Sequence, residues 1–267
     1  AFTEPAPRHR RRNPARAFRS RRLTPPTAEG RWGLVGARTA SRPSATHWAA
    51  AVAQQLLNRH GVMTREAVTV ETLPGGFSAV YDVLKAMEDA GRIRRGYFVG
   101  GLGATQFALP AAVDLLRSVR DDPESAQTVY LAATDPANPY GAILKWPSRP
   151  GATGSASGRV EEQASRRGPT RSVGAGVILV DGSLAAYVGK ADRQFLTYLP
   201  EDEPARGRVA SEVARTLFSL ATSGGDRGGM LISELDDLDA AKHPLAPYLV
   251  DAGFVRRATG FQAAPPR

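Results

Sequence analysis

The chain has 267 residues, 42% of them hydrophobic, and carries 35 Lys+Arg against 26 Asp+Glu, for a formal net charge of +9. With no cysteine and only four scattered histidines, it has no disulfide framework, thiolate metal site, cysteine nucleophile or multi-histidine metal centre to offer. No run of 18 apolar residues occurs, so no membrane-spanning helix is expected, and the chain reads as a soluble protein of a reducing compartment.

The charge is unevenly placed. Eleven arginines precede Pro43, opposed only by Glu4 and Glu29, and beyond that point basic and acidic residues balance. Prolines at 5, 7, 14, 25 and 26 break any helix in residues 1–30, and no apolar h-region marks a secretory signal. The opening at Ala1 rather than methionine suggests a piece of a longer protein. Residues 1–30 therefore read as a basic disordered arm or linker. As an arm, Arg10, Arg11 and Arg12 would release counterions from nucleic-acid phosphates. As a linker they are simply solvated, their abundance reflecting an arginine-rich composition.

Residues 31–125 carry a winged helix-turn-helix pattern. Ser44 can cap a helix to about Arg59, with Trp48, Val52 and Leu56 on one stripe and Gly61 as its stop. Thr64 caps a second, shorter helix that ends before Pro74. A third starts near Ser78, places Phe77, Val80, Tyr81, Leu84 and Met87 on one face, and ends at Gly91. Arg92–Val99 and Thr105–Leu109 then read as the two strands of a wing. The third helix would be the recognition helix, yet it offers Ser78, Asp82, Lys85, Glu88 and Asp89 to solvent, a poor match for a polyanion. DNA contact is expected instead from Arg92, Arg94 and Arg95 on the wing beside Tyr97, with Lys85 the helix's one basic contribution. The alternative is a packing module with those side chains solvated.

Residues 126–267 read as a small β-barrel-like antiparallel α+β domain with flanking helices. A helix near 111–120 leads to a strand at Thr128–Ala132 and a dense turn at 133–141. A Gly/Ser-rich flexible loop at 149–172 follows. Residues 174–180 and 183–188 are strands joined by Asp181-Gly182, a type I′ hairpin signal, with a further strand at Arg193–Leu199. Such strands cannot bury both faces unaided, so barrel closure or a covering helix is expected. A helix from about Val209 to Thr222 offers Val213, Leu217 and Leu220. Met230–Leu235 follows as a strand, then a short helix at Leu245–Ala252 stopped by Gly253, and a last strand from Phe254.

Catalytic signatures are sparse. No GxxxxGK[ST] loop or GxSxG elbow is present, and the GxG at 174–176 follows a loop rather than a strand. The carboxylates of 236–239 read as a solvated helix start in preference to a metal site. Asp135 beside Asn138 is the one catalytic candidate, able to polarise a water as base excision requires, although both residues precede prolines and suit structural Asx turns. No cofactor or metal is expected in this chain.

Four strings carry a family resemblance: RRGYFVGGLGATQFALP (94–110), LAATDPANPYGA (131–142), VILVDGSLAAYV (177–188) and PLAPYLVDAGF (244–254). Across about residues 30–255 the chain resembles the C-terminal region of the bacterial large helicase-related (Lhr) family of ATP-dependent DNA helicases. The resemblance implies a parent that moves 3′-to-5′ on single-stranded DNA and acts in DNA repair, with ATP and Mg2+ held by upstream domains. It implies a row of winged helices ending in a barrel, similar to the tandem winged-helix DNA glycosylases. The implied partners are single-stranded or duplex DNA, the upstream helicase core of the same chain and a homo-oligomer, in the cytoplasm at the nucleoid. Base excision and self-association are the two alternative roles. No motor motif is present to carry over, and no position matches a catalytic carboxylate for uracil removal. The last residues also lack the TPKGL-like ending of the family.

Overall fold

The computed structural model describes residues 34–38, 41–120, 125–148, 168–192, 194–223 and 229–263. The basic arm with Arg10, Arg11 and Arg12, and most of the Gly/Ser-rich loop, lie outside them. The chain divides into two units, Ala1–Ser44 and Ala45–Arg267. Of the first, the four-residue helix α1 (Val35–Arg38) is described, with Leu34 and Val35 exposed.

In the second unit, α2 (Ala45–His60) buries Ala49, Ala53, Leu56 and Leu57 and stops at Gly61, whose φ of 67° suits glycine. Helix α3 (Arg65–Val70) is capped as its sequence suggests: Thr64 Oγ1 accepts from the Ala67 N–H at 3.1 Å. Helix α4 (Ser78–Asp89) buries Val80, Leu84 and Met87. A strand too short to carry a periodic signal, β1 (Val62–Met63), joins β2 (Arg94–Gly96) and β3 (Gln106–Ala108) in an antiparallel sheet of order β1-β3-β2. Helix α5 (Pro110–Ser118) follows with proline in its first turn. Leu57, Met63, Val68, Val80, Leu84 and Phe107 share one core, and the Phe77 ring stacks on Phe107 at 6.5 Å between centroids. Three helices and a wing hairpin make this segment a winged helix, and the molecule is α+β.

Beyond it, β4 (Thr128–Ala132), β5 (Gly176–Val180), β6 (Ser183–Val188) and β7 (Phe195–Thr197) form an antiparallel sheet in that order. Asp181 and Gly182 both have positive φ, 48° and 77°, which is the type I′ turn between β5 and β6. Helix α6 (Ala205–Thr222) crosses one face. Then come β8 (Met230–Ile232), β9 (Glu234–Leu235), β10 (Leu238–Asp239), α7 (Ala246–Ala252), β11 (Val255–Arg257) and β12 (Gly260–Ala263). The last strand pair docks on β8 in the order β11-β12-β8.

The described sheets are open, with no strand pairing that closes a barrel. A different solution covers the central sheet. Ile178, Val180, Ala186 and Val188 pack on α6 through Val213 and Leu217, while Val177, Leu179, Tyr187 and Leu196 pack beneath Tyr140 and Trp146 of the 133–146 turn region. Both faces are thereby buried, which explains why β5 and most of β6 are apolar runs rather than alternating ones. Two further expectations change. Met230–Leu235 is broken at Ser233 into two strands. Asp236-Asp237 is a hairpin turn with φ of 53° and 63°, not a helix start; only Asp239 caps a helical turn, accepting from Ala241 N–H at 2.9 Å. Among the described residues no cluster of acids or histidines could hold a metal ion, and no helix is long and apolar enough to cross a membrane.

Candidate nucleic-acid interface

The packing of α4 decides what its outer face can offer. With Val80, Leu84 and Met87 inward, Ser78, Asp82, Lys85 and Asp89 are exposed and Glu88 is half-buried. Lys85 is the one cation among these five residues, so the face is repulsive toward phosphate. The wing differs. Arg92, Arg94 and Arg95 are all exposed, as is Tyr97 beside them. Arg95 Nε donates to Glu88 Oε1 at 3.1 Å, so this arginine cancels an acid of α4. Arg92 Nη2 makes only a long contact, 3.4 Å, to Gln54 Oε1. Arg94 has no hydrogen-bond or ion-pair partner among the described residues. The cations least committed at the wing are thus Arg94 on β2 and Arg92 in the bend before it, where a strand was expected, with Arg95 partly spent.

A residue not singled out from the sequence holds this wing. Gln106, fully buried at the start of β3, uses both ends of its amide on the loop backbone. Its Oε1 accepts from the N–H groups of Phe98 and Val99, both at 2.9 Å, and its Nε2 donates to Val99 O at 2.9 Å and Gly103 O at 3.0 Å. The only signal was one polar residue inside an apolar strand, which periodicity treats as a solvent position. At the other end of the interface, the Arg65 guanidinium lies 5.3 Å from the Phe77 ring centroid. It lines a cavity of about 280 Å³ with Ser78, Tyr81, Asp82 and Thr105.

Asp135 sits apart from the wing in sequence and fold. Its Oδ1 accepts from Ala137 N–H at 2.8 Å, forming an Asx turn. Asn138 is buried and makes a second one, accepting from Tyr140 N–H at 3.1 Å while its Nδ2 donates to Ala133 O at 2.9 Å. Arg171, at the described end of the Gly/Ser-rich loop, donates to the carbonyls of Asn138 (2.7 Å), Tyr140 (3.1 Å) and Asp135 (3.1 Å). That guanidinium makes the turn a pinned structure.

A second carboxylate lies in a more enclosed setting. Asp236 accepts from Thr197 N–H at 2.8 Å and from Thr197 Oγ1. His243 Nδ1 accepts from Leu245 N–H at 3.1 Å, so its Nε2 carries the hydrogen and donates to Asp236 at 2.9 Å. Burial pushes the Asp236 carboxyl up, but hydrogen bonds from His243 and Thr197 outweigh it and leave the acid below its ordinary range. With Glu201 and Arg206, the cluster lines a cavity of about 250 Å³.

Comparison with known proteins fits the winged helix to its place. Residues 42–128 match a family profile described as a large helicase-related protein, winged-helix domain. The chain is 39% identical over 275 residues to a Mycolicibacterium smegmatis protein named Lhr helicase/probable uracil glycosylase, covering 96% of this chain and 17% of that one. It is 33% identical over 234 residues to the Escherichia coli Lhr helicase/uracil glycosylase, covering 86% of this chain and 14% of that protein. It therefore spans about one sixth of the length of these curated relatives. The matched winged helix and the likeness along most of the chain show that it belongs to the large helicase-related family, as a C-terminal region of it.

Proposed function

We propose that this chain is the DNA-contacting accessory region of an Lhr-type repair helicase, touching the nucleic acid through its wing rather than its recognition helix. The observation that carries this is Arg94, exposed and without a side-chain partner among the described residues, near Arg92 on a wing whose loop Gln106 pins. A preorganised pair of guanidiniums loses little entropy on meeting phosphates. The arm's Arg10, Arg11 and Arg12 would add sequence-independent affinity. ATP, Mg2+ and strand separation belong to the parent's motor, since no phosphate-binding loop motif occurs in this sequence. The two sets of cores, before and after about residue 125, are read as separate modules, the second a barrel-like unit in the parent. The upstream core or a second copy would meet α5 and its C-cap, where Leu115 and Val119 are 64% and 65% exposed. Titration with single-stranded and duplex DNA at several salt concentrations tests the reading. Log affinity falling linearly with log salt supports it, and absence of binding at low salt refutes it.

Base excision is the second reading, prompted by the names of both relatives. Asp135 is its candidate from the sequence, and Asp236 is a largely buried, hydrogen-bonded carboxylate that lines a cavity. Full uracil release by both Asp135→Ala and Asp236→Ala variants would dismiss both residues.

A further inference from the structure

We propose that the β11–β12 hairpin is a second DNA-contacting element, gripping a strand's phosphate backbone with Arg256 and Arg257. This inference rests on the reading of the chain as DNA-associated and extends it to a part of the fold outside the winged helix.

Three observations converge on the hairpin. The first is charge state. In the segment from 125 to 263, Arg206, Arg208 and Arg215 each meet an acid, at 2.9, 3.4 and 2.5 Å, and Arg171 is spent on backbone carbonyls. Arg256 and Arg257 are exposed and have no hydrogen-bond or ion-pair partner among the described residues, although Glu234 and Asp239 line the same cleft. An adjacent pair of uncompensated guanidiniums, where the other described arginines of the module are committed, marks a site for an external anion.

The second is position. Among the described residues β11 is the edge of its sheet and pairs only with β12, which leaves its outer side to a partner. Consecutive strand residues point to opposite faces, yet both arginines line one open cleft of about 570 Å³ that also takes in Ser233 and Thr259. Both cations therefore border one solvent-open space from adjacent strand positions. That arrangement suits successive phosphates of a strand. The neighbouring Glu234 and Asp239 disfavour deep insertion of a polyanion and favour passage along the rim.

The third is rigidity. Phe261 and Ala263 are buried, and β12 pairs with β8 from Phe261 to Ala263. At Gly260, with φ of 130°, an added Cβ would lie 2.2 Å from Ile232 O, so the hairpin tip is pressed directly on the β8 backbone. The arginines are presented by a fixed platform.

The test uses the full chain carrying Arg256→Ala/Arg257→Ala, with Arg256→Lys/Arg257→Lys as the charge-preserving control, titrated against duplex DNA from 50 to 200 mM salt. Loss of two phosphate contacts lowers the salt slope by about 1.8, which makes the affinity loss at 50 mM about 12-fold larger than at 200 mM. The Lys pair should keep most of the slope. Both positions are exposed, and an unchanged thermal melt confirms that the fold is intact. An unchanged slope in the Ala pair, with wild-type binding intact, overturns the hairpin proposal alone. Absence of wild-type binding overturns the DNA-associated reading itself. A Lys pair as weak as the Ala pair would overturn the hairpin proposal, because charge would not be the cause.

Discussion

Replacing Gln106 with alanine should release the wing while leaving the helical core assembled. The side chain is fully buried and makes four hydrogen bonds to the loop backbone, at 2.9 to 3.0 Å. Each is worth about 0.5–1.5 kcal/mol net, and water can reach the half-exposed loop, so the loss should be about 2–4 kcal/mol. The cost falls on the wing because all four partners lie between Phe98 and Gly103. Amide hydrogen exchange reads this directly, since the Phe98 and Val99 N–H groups are the ones Gln106 Oε1 holds. Their exchange should accelerate by at least about 30-fold, the equivalent of 2 kcal/mol, with little change at α2 and α4. Gln106→Glu should fail similarly, because a carboxylate oxygen would replace the amide donor facing Val99 O and Gly103 O. Low-salt DNA affinity should drop in both variants as preorganisation is lost. Unchanged protection of Phe98 and Val99 in the Ala variant would refute the reasoning.

Three further outcomes are expected. Asp236 has a folded-state acidity below its unfolded value, so its contribution to stability is present above about pH 4 and is lost as pH falls through the lower folded value. Chemical denaturation from pH 2 to 7 should show that loss, and Asp236→Asn should flatten it while costing about 1–3 kcal/mol at neutral pH, because an amide NH2 in place of Oδ2 accepts from neither Thr197 Oγ1 nor His243 Nε2. Gly141→Ala should destabilise by about 1–3 kcal/mol in a thermal melt. Its φ of 72° disfavours a side chain, and the new Cβ would sit 2.5 Å from the Trp146 ring. Asp135→Ala removes one half-exposed turn bond and should cost about 1 kcal/mol by denaturant titration, with DNA affinity unchanged.

The elements legible in the sequence are those with strong local chemistry. Thr64 as a cap, Gly61 and Gly91 as helix stops, and Asp181-Gly182 as a I′ turn all act within a few residues, and each appears where its chemistry places it. The recognition-helix face followed from a 3.6-residue period and is observed as read but for Glu88, which is half-buried against Arg95. What escaped depends on distant partners. β1 spans two residues and exists because Ala108 and Phe107 pair with it. β12 is fixed by β8, roughly thirty residues upstream, and the sheet stays open because Trp146 and Tyr140 cover the face that barrel closure would have buried. At the interface, exposed arginines could be named from the sequence, but not which were spent. Arg95 on Glu88 and Arg171 on three carbonyls are tertiary facts, as is the lack of a side-chain partner for Arg94, Arg256 and Arg257 among the described residues.

Contact through the wing instead of the recognition helix is tested most directly by comparing salt slopes for duplex binding by the full chain and two variants. Arg92→Ala/Arg94→Ala removes the two wing cations least committed within the fold, and Lys85→Ala removes the one cation exposed on α4. The wing variant should lose about 1.8 from the slope, two phosphates' worth, while Lys85→Ala leaves it nearly unchanged. An undiminished slope in the wing variant, with the loss appearing in Lys85→Ala, would contradict the account and place the DNA on the helix.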